Sequence, residues 1–217
     1  DLSKDMERDV GNLAQTVSGR LSMATSHHIG LHRLAPVLQR FTQQYPEVEL
    51  DIQFEDSEVA HKLVRAGDIE LAVVTLNPAG EQAQSDLETK TIWQDPLCFV
   101  NAKPLPEVAS LSQLATLPCI LPGANTFTGR IVTERFALEG LALKPALSTN
   151  YLETISMLVS VGVGWSVLPQ TMVSELQLLT PQCAPITRSL GCVTHAKRTL
   201  SNSASAFLRV LSAYASG

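Results

Sequence analysis

The sequence predicts an α/β protein built from two βαβ lobes joined by two crossover strands. Short apolar runs typical of strands alternate with segments of helical periodicity, and this order occurs twice along the 217 residues. With 45% hydrophobic and 17% charged residues, the chain is apolar enough to bury a folded core. Three landmarks of the first half also recur at one constant spacing in the second half. The pairs are Phe41 with Phe136, Leu63 with Leu158, and Gly67 with Gly162.

The N-terminal segment, residues 2–17, predicts a helix with a single narrow apolar seam. Such a seam needs a partner, and the segment leads into the first strand, so residues 1–18 are predicted to be the end of a linker helix from an upstream domain. The alternative is an ordinary N-terminal helix packed on its own domain. The seam residues are Leu2, Met6, Val10, Leu13 and Val17.

The first lobe begins with a predicted strand at residues 20–24, where apolar and polar residues alternate. Thr25 and Ser26 follow, with side-chain oxygens suited to cap a helix that runs to about Tyr45. Pro36 lies inside this helix, where proline removes a hydrogen bond and costs about 3 kcal/mol. A kink is therefore predicted there.

The first lobe continues with a second strand and a second helix. Residues 48–52 alternate as a strand, and Asp56 and Ser57 predict the start of a helix that Gly67 ends. Residues 71–74 form a continuous apolar run, typical of a strand covered on both faces. The resulting order is βαβαβ.

The second lobe repeats this order. Its predicted elements are a strand at 119–121, a loop at 123–128, a helix ending at Gly140, a strand at 146–148, a helix ending at Gly162 and a strand at 165–168.

Two long extended stretches are predicted to cross between the lobes. Residues 87–103 are expected to bend at Asp95 and Pro96, and residues 186–196 carry Gly191 near their middle. Two such crossovers would form a hinge. The predicted domains are the linker end at 1–18, lobe I at 19–94 with 196–217, and lobe II at 95–195.

The last helix is predicted to begin near Ser201 or Asn202. Phe207, Leu211 and Tyr214 are expected on one face, which would pack on lobe I.

Composition excludes several classes of function. The chain has 16 Lys and Arg against 21 Asp and Glu, a net charge of −5, so it is a poor binder of nucleic acid on its own. No apolar stretch is long enough for a membrane span, and the start is charged where a signal peptide would be apolar. The cysteines contain no CxxC pair, which favours a reducing, cytoplasmic location.

Polar residues follow several of the predicted strands. The carboxyl ends of parallel strands and the N-termini of helices bind ligands in such folds, so these residues are predicted to converge on a small polar or anionic ligand in a cleft between the lobes. For each residue the alternative is that it caps its own helix. The residues are Thr25, Ser26, His27, His28, Thr75, Asn77, Asn125, Thr126, Thr128, Thr149 and Asn150.

Three stretches resemble a known family, the effector-binding domains of LysR-type transcriptional regulators. They are GRLSMATSHHIGLHRLAPVLQRFTQQYPEVEL, LVRAGDIELAVV and LVSVGVGWSVLP, and the resemblance covers about residues 19–215, including the proline in the first long helix. Glu70 stands where the family more often has Asp, a change expected to be neutral for the fold, and His27 with His28 is an unusual imidazole pair.

The resemblance implies a periplasmic-binding-protein-like (type 2) fold with the effector in the interlobe cleft, and no cofactor. It further implies a homodimer through lobe I and a homotetramer of the full-length regulator. DNA would be contacted only through a winged-helix domain that this chain lacks, and RNA polymerase would be a further partner. The implied effector contacts are Thr25, Ser26, His28, Thr75, Thr149 and the loop with Gly123, Asn125, Thr126, Phe127 and Thr128.

Other readings remain open from the sequence. His28 and His32 have a spacing that binds metals on helices, yet no third ligand lies near them in the sequence. Cys183 and Cys192 could form a redox switch, with buried thiols as the alternative.

Enzymes are disfavoured because the chain lacks GxSxG, HExxH, Walker and GxGxxG motifs. The alternative to a regulator is an extracytoplasmic solute-binding protein. Arg130 hints at an anionic effector, unless it pairs with Glu134 one helical turn on.

Overall fold

A computed structural model describes residues 2–12, 16–106 and 108–215. It divides the chain into two compact units: unit 1 is Asp1–Trp93 with Leu190–Gly217, and unit 2 is Gln94–Ser189. The α-helices are α1 Leu2–Asn12, α2 His27–Ile29, α3 Ala35–Gln44, α4 Ser57–Ala66, α5 Leu111–Leu114, α6 Phe127–Ala137, α7 Leu152–Ser160 and α8 Asn202–Ala215. The strands are β1 Gly19–Thr25, β2 Val48–Phe54, β3 Leu71–Thr75, β4 Leu87–Asn101, β5 Ile120–Leu121, β6 Leu147–Ser148, β7 Ser166–Pro169, β8 Gln177–Leu179 and β9 Ile186–His195.

Unit 1 contains the predicted βαβαβ arrangement. β1 lies between β2 and β3 and is parallel to both, so the carboxyl ends of the three strands share one edge of the sheet. All five residues of β3 are buried, which confirms that this apolar run is covered on both faces. β9 extends the sheet by pairing antiparallel to β3.

The helix changes type just before Pro36, where the sequence predicts a kink. The segment Gly30–Leu34 is π-helical and leads directly into α3, so Pro36 falls in the first turn of α3. The first turn tolerates proline because its amide has no partner within the helix. A π turn adds one residue to the helix and so moves the proline out of a regular interior position.

The helix ends marked by the repeated glycines are equivalent in the two units. Gly67 follows α4 with φ 77° and Gly162 follows α7 with φ 87°. Both angles lie in the left-handed region that glycine adopts without strain. Phe41 and Phe136, another repeated pair, are each fully buried in the core of their own unit.

The core of unit 1 is closed by α8, as the sequence predicts. The Phe207 ring meets the Phe41 ring edge to face, with centroids 5.3 Å apart. Leu211 is fully buried, but Tyr214 is 42% exposed, so the predicted apolar face of α8 ends one turn earlier. The buried Glu70 carboxylate accepts hydrogen bonds from the backbone N–H and the hydroxyl of Ser201, just before α8.

The N-terminal helix is shorter than predicted. α1 ends at Asn12, Val17 lies outside it and packs against the core of unit 1, and Leu13 of the predicted seam falls outside the described residues. α1 is held to unit 1 by polar contacts, such as Arg8 Nη1 donating to the Thr199 carbonyl at 3.2 Å. The seam side chains are exposed instead of packed. They are Leu2, Met6 and Val10.

Unit 2 is built on a different strand arrangement at its edge. β7 and β8 both pair antiparallel with β4, while β5 and β6 form a short parallel pair. Trp165 stacks on Phe136 at a centroid distance of 5.6 Å and donates its indole N–H to the Leu114 carbonyl. The predicted strand at 146–148 consists of β6 alone, two residues long.

The two long strands pass from one unit to the other and pair with each other. β4 is continuous through Asp95 and Pro96, where the sequence predicts a bend. Residues 190–195 were expected in the second lobe, whereas the structure places them in unit 1, because the end of β9 pairs with β3.

Gly191 on β9 allows the closest backbone approach in unit 1. A Cβ atom at this position would lie 2.0 Å from the Lys90 carbonyl oxygen, which belongs to the backbone of β4. We expect Gly191→Ala to lower the free energy of unfolding by about 1–3 kcal/mol, which is the usual cost of overpacking. Urea unfolding followed by circular dichroism measures this. Gly11→Ala is the control, because a Cβ atom there has open space on an exposed helix; equal midpoints for the two variants would contradict the prediction.

Candidate functional site

The threonines at the ends of β1 and β3 make hydrogen bonds that connect elements of unit 1. Thr25 is fully buried, and its hydroxyl donates to the Val73 carbonyl at 2.7 Å, which joins β1 to β3. The backbone N–H of Thr75 donates to the Ser57 hydroxyl at 3.0 Å. Ser57 therefore ties the start of α4 to the end of β3, a role that its prediction as a helix cap did not include.

Ser26 begins the first long helix as predicted. Its side-chain oxygen accepts a hydrogen bond from the Ile29 backbone N–H at 3.4 Å. His27 is exposed, and its ring lies edge-on to Phe54. His28 is buried, and its ring lies 4.4 Å from that of His32. The two imidazoles predicted as a possible metal pair are thus adjacent.

Asn77 stabilises the turn that follows β3. Its side-chain oxygen accepts from the Ala79 backbone N–H at 3.0 Å, a local turn motif that asparagine favours. The side chain is half-buried, so this predicted site residue also has a structural role.

His61 is a buried titratable group that the sequence did not single out. Its Nδ1 lies 2.7 Å from the Ser57 carbonyl, and its Nε2 lies 3.8 Å from a carboxylate oxygen of Glu81. Burial lowers the pKa of His61 below its ordinary value, while the Ser57 hydrogen bond and the Glu81 charge oppose the shift.

In unit 2, the predicted loop before α6 is held by its own polar groups. Thr126 caps α6: its hydroxyl accepts from the Gly129 N–H at 3.0 Å and donates to the Gly123 carbonyl at 2.7 Å. The Gly123 N–H in turn donates to the Asn150 side-chain oxygen at 3.1 Å. This bond connects the start of α6 with the end of β6.

Thr128, in the first turn of α6, contacts a buried ion pair. Arg188 is 5% exposed and Asp95 is 0% exposed, and the Arg188 Nε donates to the Asp95 Oδ2 at 2.7 Å. Arg188 Nη1 donates to the Thr128 hydroxyl oxygen at 3.1 Å. The sequence did not identify Arg188 or the role of Asp95, because the two lie on strands far apart in the chain.

The remaining predicted residues of unit 2 lie around the same helix start. Phe127 is buried, and the Arg130 guanidinium lies 5.0 Å from its ring centre, a cation–π contact. Among the described side chains, Arg130 makes this contact and no ion pair with Glu134. Asn125 is exposed. Thr149 is half-buried, and its hydroxyl accepts from the Tyr151 N–H at 3.4 Å.

The four thiols are free, and those of Cys119 and Cys192 are buried. Burial raises the pKa of Cys119 to about 11 and also raises the pKa of Cys192. Cys192 packs in the core of unit 1, and Cys183 packs against the core of unit 2. A raised pKa lowers the thiolate fraction on which redox chemistry depends, which argues against Cys192 as a reactive thiol.

Both units thus place hydroxyls and helix N-termini at the carboxyl ends of parallel strands. Such groups bind small polar or anionic molecules through hydrogen bonds and the positive end of the helix dipole. This chemistry and this fold define a class of small-molecule-binding α/β domains.

The chain belongs to the LysR substrate binding domain family, which matches residues 14–216. It is 26% identical over 179 residues to the HTH-type transcriptional regulator BbuR of Bordetella bronchiseptica, covering 79% of this chain and 53% of that protein. The chain spans about half the length of the first curated relatives it matches.

Two solved structures show the same fold. The effector binding domain of QuiR in complex with shikimate has a TM-score of 0.79 and 16% identity, with 92% of this chain and 98% of that chain covered. The Synechocystis PCC6803 CcmR regulatory domain in complex with 2-PG has a TM-score of 0.79 and 23% identity, with 91% and 98% covered. The fold is the periplasmic-binding-protein-like (type 2) fold of LysR effector-binding domains, which confirms the predicted fold class and family.

Removing one partner of the buried ion pair should be costly. Arg188→Met leaves the Asp95 carboxylate buried without its cation, and we expect it to lower the free energy of unfolding by about 3–5 kcal/mol. Urea unfolding measures the loss. Replacing both residues, as in Arg188→Met with Asp95→Leu, should cost less than the single change, because no unpaired charge remains.

The exposed pair of Lys197 and Asp86, 2.8 Å apart, provides the control for this measurement. Lys197→Met should leave the urea midpoint nearly unchanged, since exposed ion pairs contribute little. If Arg188→Met cost no more than Lys197→Met, the buried pair would not support unit 2 as described.

His61 should make the protein less stable in mild acid. The unfolded chain takes up a proton at the ordinary histidine pKa, near 6.5, but the folded protein does so only at lower pH, so stability falls as the pH drops through this range. His61→Asn removes the titration and keeps an N–H donor for the Ser57 carbonyl. Urea midpoints measured between about pH 7.5 and 5 should therefore fall less in the variant than in the wild type. Parallel curves would show that His61 does not contribute.

Proposed function

We propose that this chain is the sensor of a LysR-type transcriptional regulator that binds a small-molecule effector. The family match over residues 14–216 carries this proposal. DNA binding would belong to a separate winged-helix domain, consistent with the net charge of −5 and with a chain about half as long as its curated relatives.

We propose that the effector is bound by the polar groups at the strand ends, and that these groups differ in role. The hydroxyls of Thr25 and Thr126 are already committed to the fold, so we assign them to shaping the site. Ser26 in unit 1 and Thr128 in unit 2 are the proposed direct contacts. That the polar residues of unit 1 and those of unit 2 converge on one cleft remains a prediction from the sequence. The other proposed contacts are His27, His28, Thr75, Asn77, Gly123, Asn125, Phe127 and Thr149.

An anionic or oxygen-rich effector fits these groups best. The N-terminus of α6 favours negative charge, and Arg130 adds a cation close to it. The QuiR domain was solved with shikimate, a hydroxylated carboxylate, which is the same chemistry. To act as a signal, the effector must bind one conformation of the domain more tightly than another.

The proposed partners are those that the family implies, and exposed apolar side chains on α1 are consistent with an assembly. Leu2, Met6 and Val10 on α1 are 84%, 67% and 68% exposed, as a linker helix that pairs in an assembly would be. We propose a homodimer through unit 1 and a homotetramer of the full-length regulator, with RNA polymerase as a further partner on the promoter.

We place the regulator in the cytoplasm, where its DNA would be. The four free cysteines suit a reducing compartment, and among the described residues no helix has the length and apolar character to cross a membrane. The family match favours this proposal over an extracytoplasmic solute-binding protein, and the matched proteins are regulators instead of enzymes.

A thermal-shift screen tests the proposal. Shikimate, 2-PG and a panel of organic acids and amino acids are added to the domain. A ligand at 100 times its dissociation constant should stabilise the fold by about 2.7 kcal/mol, which raises the melting temperature measurably.

Variants then locate the bound ligand. Ser26→Ala and Thr128→Val should each reduce the shift measured at one fixed ligand concentration. Ser110→Ala removes an N-cap from α5, and Thr133→Val removes a hydroxyl elsewhere on α6, so these controls should retain it. A shift as large in the first two variants as in the wild type would contradict the proposed contacts, and a panel of metabolites without any shift would count against an effector of this chemistry.

A further inference from the structure

Arg188 connects two parts of unit 2 that the chain keeps far apart. Its Nε holds the Asp95 carboxylate on β4, and its Nη1 holds the Thr128 hydroxyl in the first turn of α6. All three side chains are more than nine-tenths buried. The guanidinium is planar and rigid, so fixing Nε on a carboxylate also fixes the direction of Nη1.

The contact with Arg188 determines whether the Thr128 hydroxyl oxygen donates or accepts in this hydrogen bond. A guanidinium only donates hydrogen bonds, so the Thr128 oxygen is the acceptor in this pair. The hydroxyl proton must therefore point away from Arg188. Among the described residues, no acceptor for this proton lies within hydrogen-bond distance.

Thr126, two residues earlier, shows the contrasting case. Its hydroxyl donates to the Gly123 carbonyl and accepts from the Gly129 N–H. Its single proton is already used within the loop. Of the two neighbouring threonines, Thr128 alone keeps a proton for a ligand.

We propose that Arg188 is a positioning residue of the effector site. It holds the Thr128 hydroxyl with the proton directed at the effector, so the effector must present a hydrogen-bond acceptor, such as a carboxylate or phosphate oxygen, at the N-terminus of α6. This inference rests on the proposed function, because it assumes that Thr128 contacts an effector.

Asp95 and Arg188 also give this site a connection to the long strands. Asp95 is the second residue of unit 2 on β4, and Arg188 is the second-last residue of unit 2 on β9. Beside them, Gln94 and Ser189 join the same strands by a hydrogen bond of 3.1 Å. Arg188 therefore anchors Thr128 to the two strands at the point where they leave unit 2.

The first test needs no effector. Three-bond couplings to the Thr128 methyl carbon, measured by NMR, report the side-chain rotamer. Arg188→Lys keeps a cation for Asp95 but loses the rigid fork, so Thr128 should change from one rotamer in the wild type to several in the variant. Thr133, which bonds to the Gly129 carbonyl in the same helix, is the internal control and should not change.

Two results would overturn the positioning role. One is a Thr128 rotamer unaffected by Arg188→Lys; the other is equal loss of order at Thr133, which would indicate general loosening. If Arg188→Lys does not fold, the contact is tested instead by the rate at which the guanidinium protons of Arg188 exchange with water. They should exchange with water faster in Thr128→Val than in the wild type, and equal rates would refute the contact.

The second test measures effector affinity by calorimetry, with shikimate or 2-PG as the probe, whichever gives the larger thermal shift. Arg188→Lys should weaken binding about tenfold when Thr128 is present and no more than about twofold in the Thr128→Val background. A purely structural role would give the same loss in both backgrounds. Arg135→Lys is the matched control, since Arg135 donates to the Pro185 carbonyl on the surface of unit 2.

The outcomes separate this inference from the proposed function. Binding that depends on Thr128 but not on Arg188 would overturn the positioning role and leave the sensor function intact. If neither probe bound, the effector chemistry proposed above would be contradicted, while the rotamer measurement would still decide what Arg188 does.

Discussion

Asp95 and Arg188 carry opposite charges in the interior of unit 2, where each partly offsets the cost of burying the other. Moving an isolated charge from water into a protein interior costs several kcal/mol, which a close partner with good geometry offsets. The pair bonds at 2.7 Å. Because its members lie on β4 and β9, and because Arg188 also donates to Thr128, the pair connects these two strands and the start of α6 in the interior of unit 2.

Polar residues at the ends of parallel strands have two functions in this protein, and the hydrogen bonds distinguish them. Thr25, Ser57 and Thr126 use their hydroxyls to join one element to the next. Thr128 accepts from a buried cation and retains its proton. Two threonines at the start of α6 therefore differ in their hydrogen bonds, because the Gly123 carbonyl accepts the Thr126 proton whereas the Thr128 oxygen accepts from Arg188.

The elements of the fold were predictable because their signals are local. The φ values of Gly67 and Gly162 and the complete burial of β3 agree with patterns that span a few residues. The ion pair of Asp95 with Arg188 was not predictable, since its members are separated by 93 positions and each looks like an ordinary strand residue. The positions of Ser26 and Thr128 after strands were predictable, and Ser26 bonds locally to Ile29, but the hydrogen bond of Thr128 comes from Arg188, 60 positions away.

The π turn at Gly30–Leu34 links the number of residues in this helix to the presence of Pro36. The turn contains one residue more than an α-helical turn of the same rise. Deleting a single residue there would restore a regular helix and return Pro36 to an interior position, where its ring meets the preceding turn. A relative with one residue fewer in this turn should therefore also lack the proline, so that the two changes are inherited together.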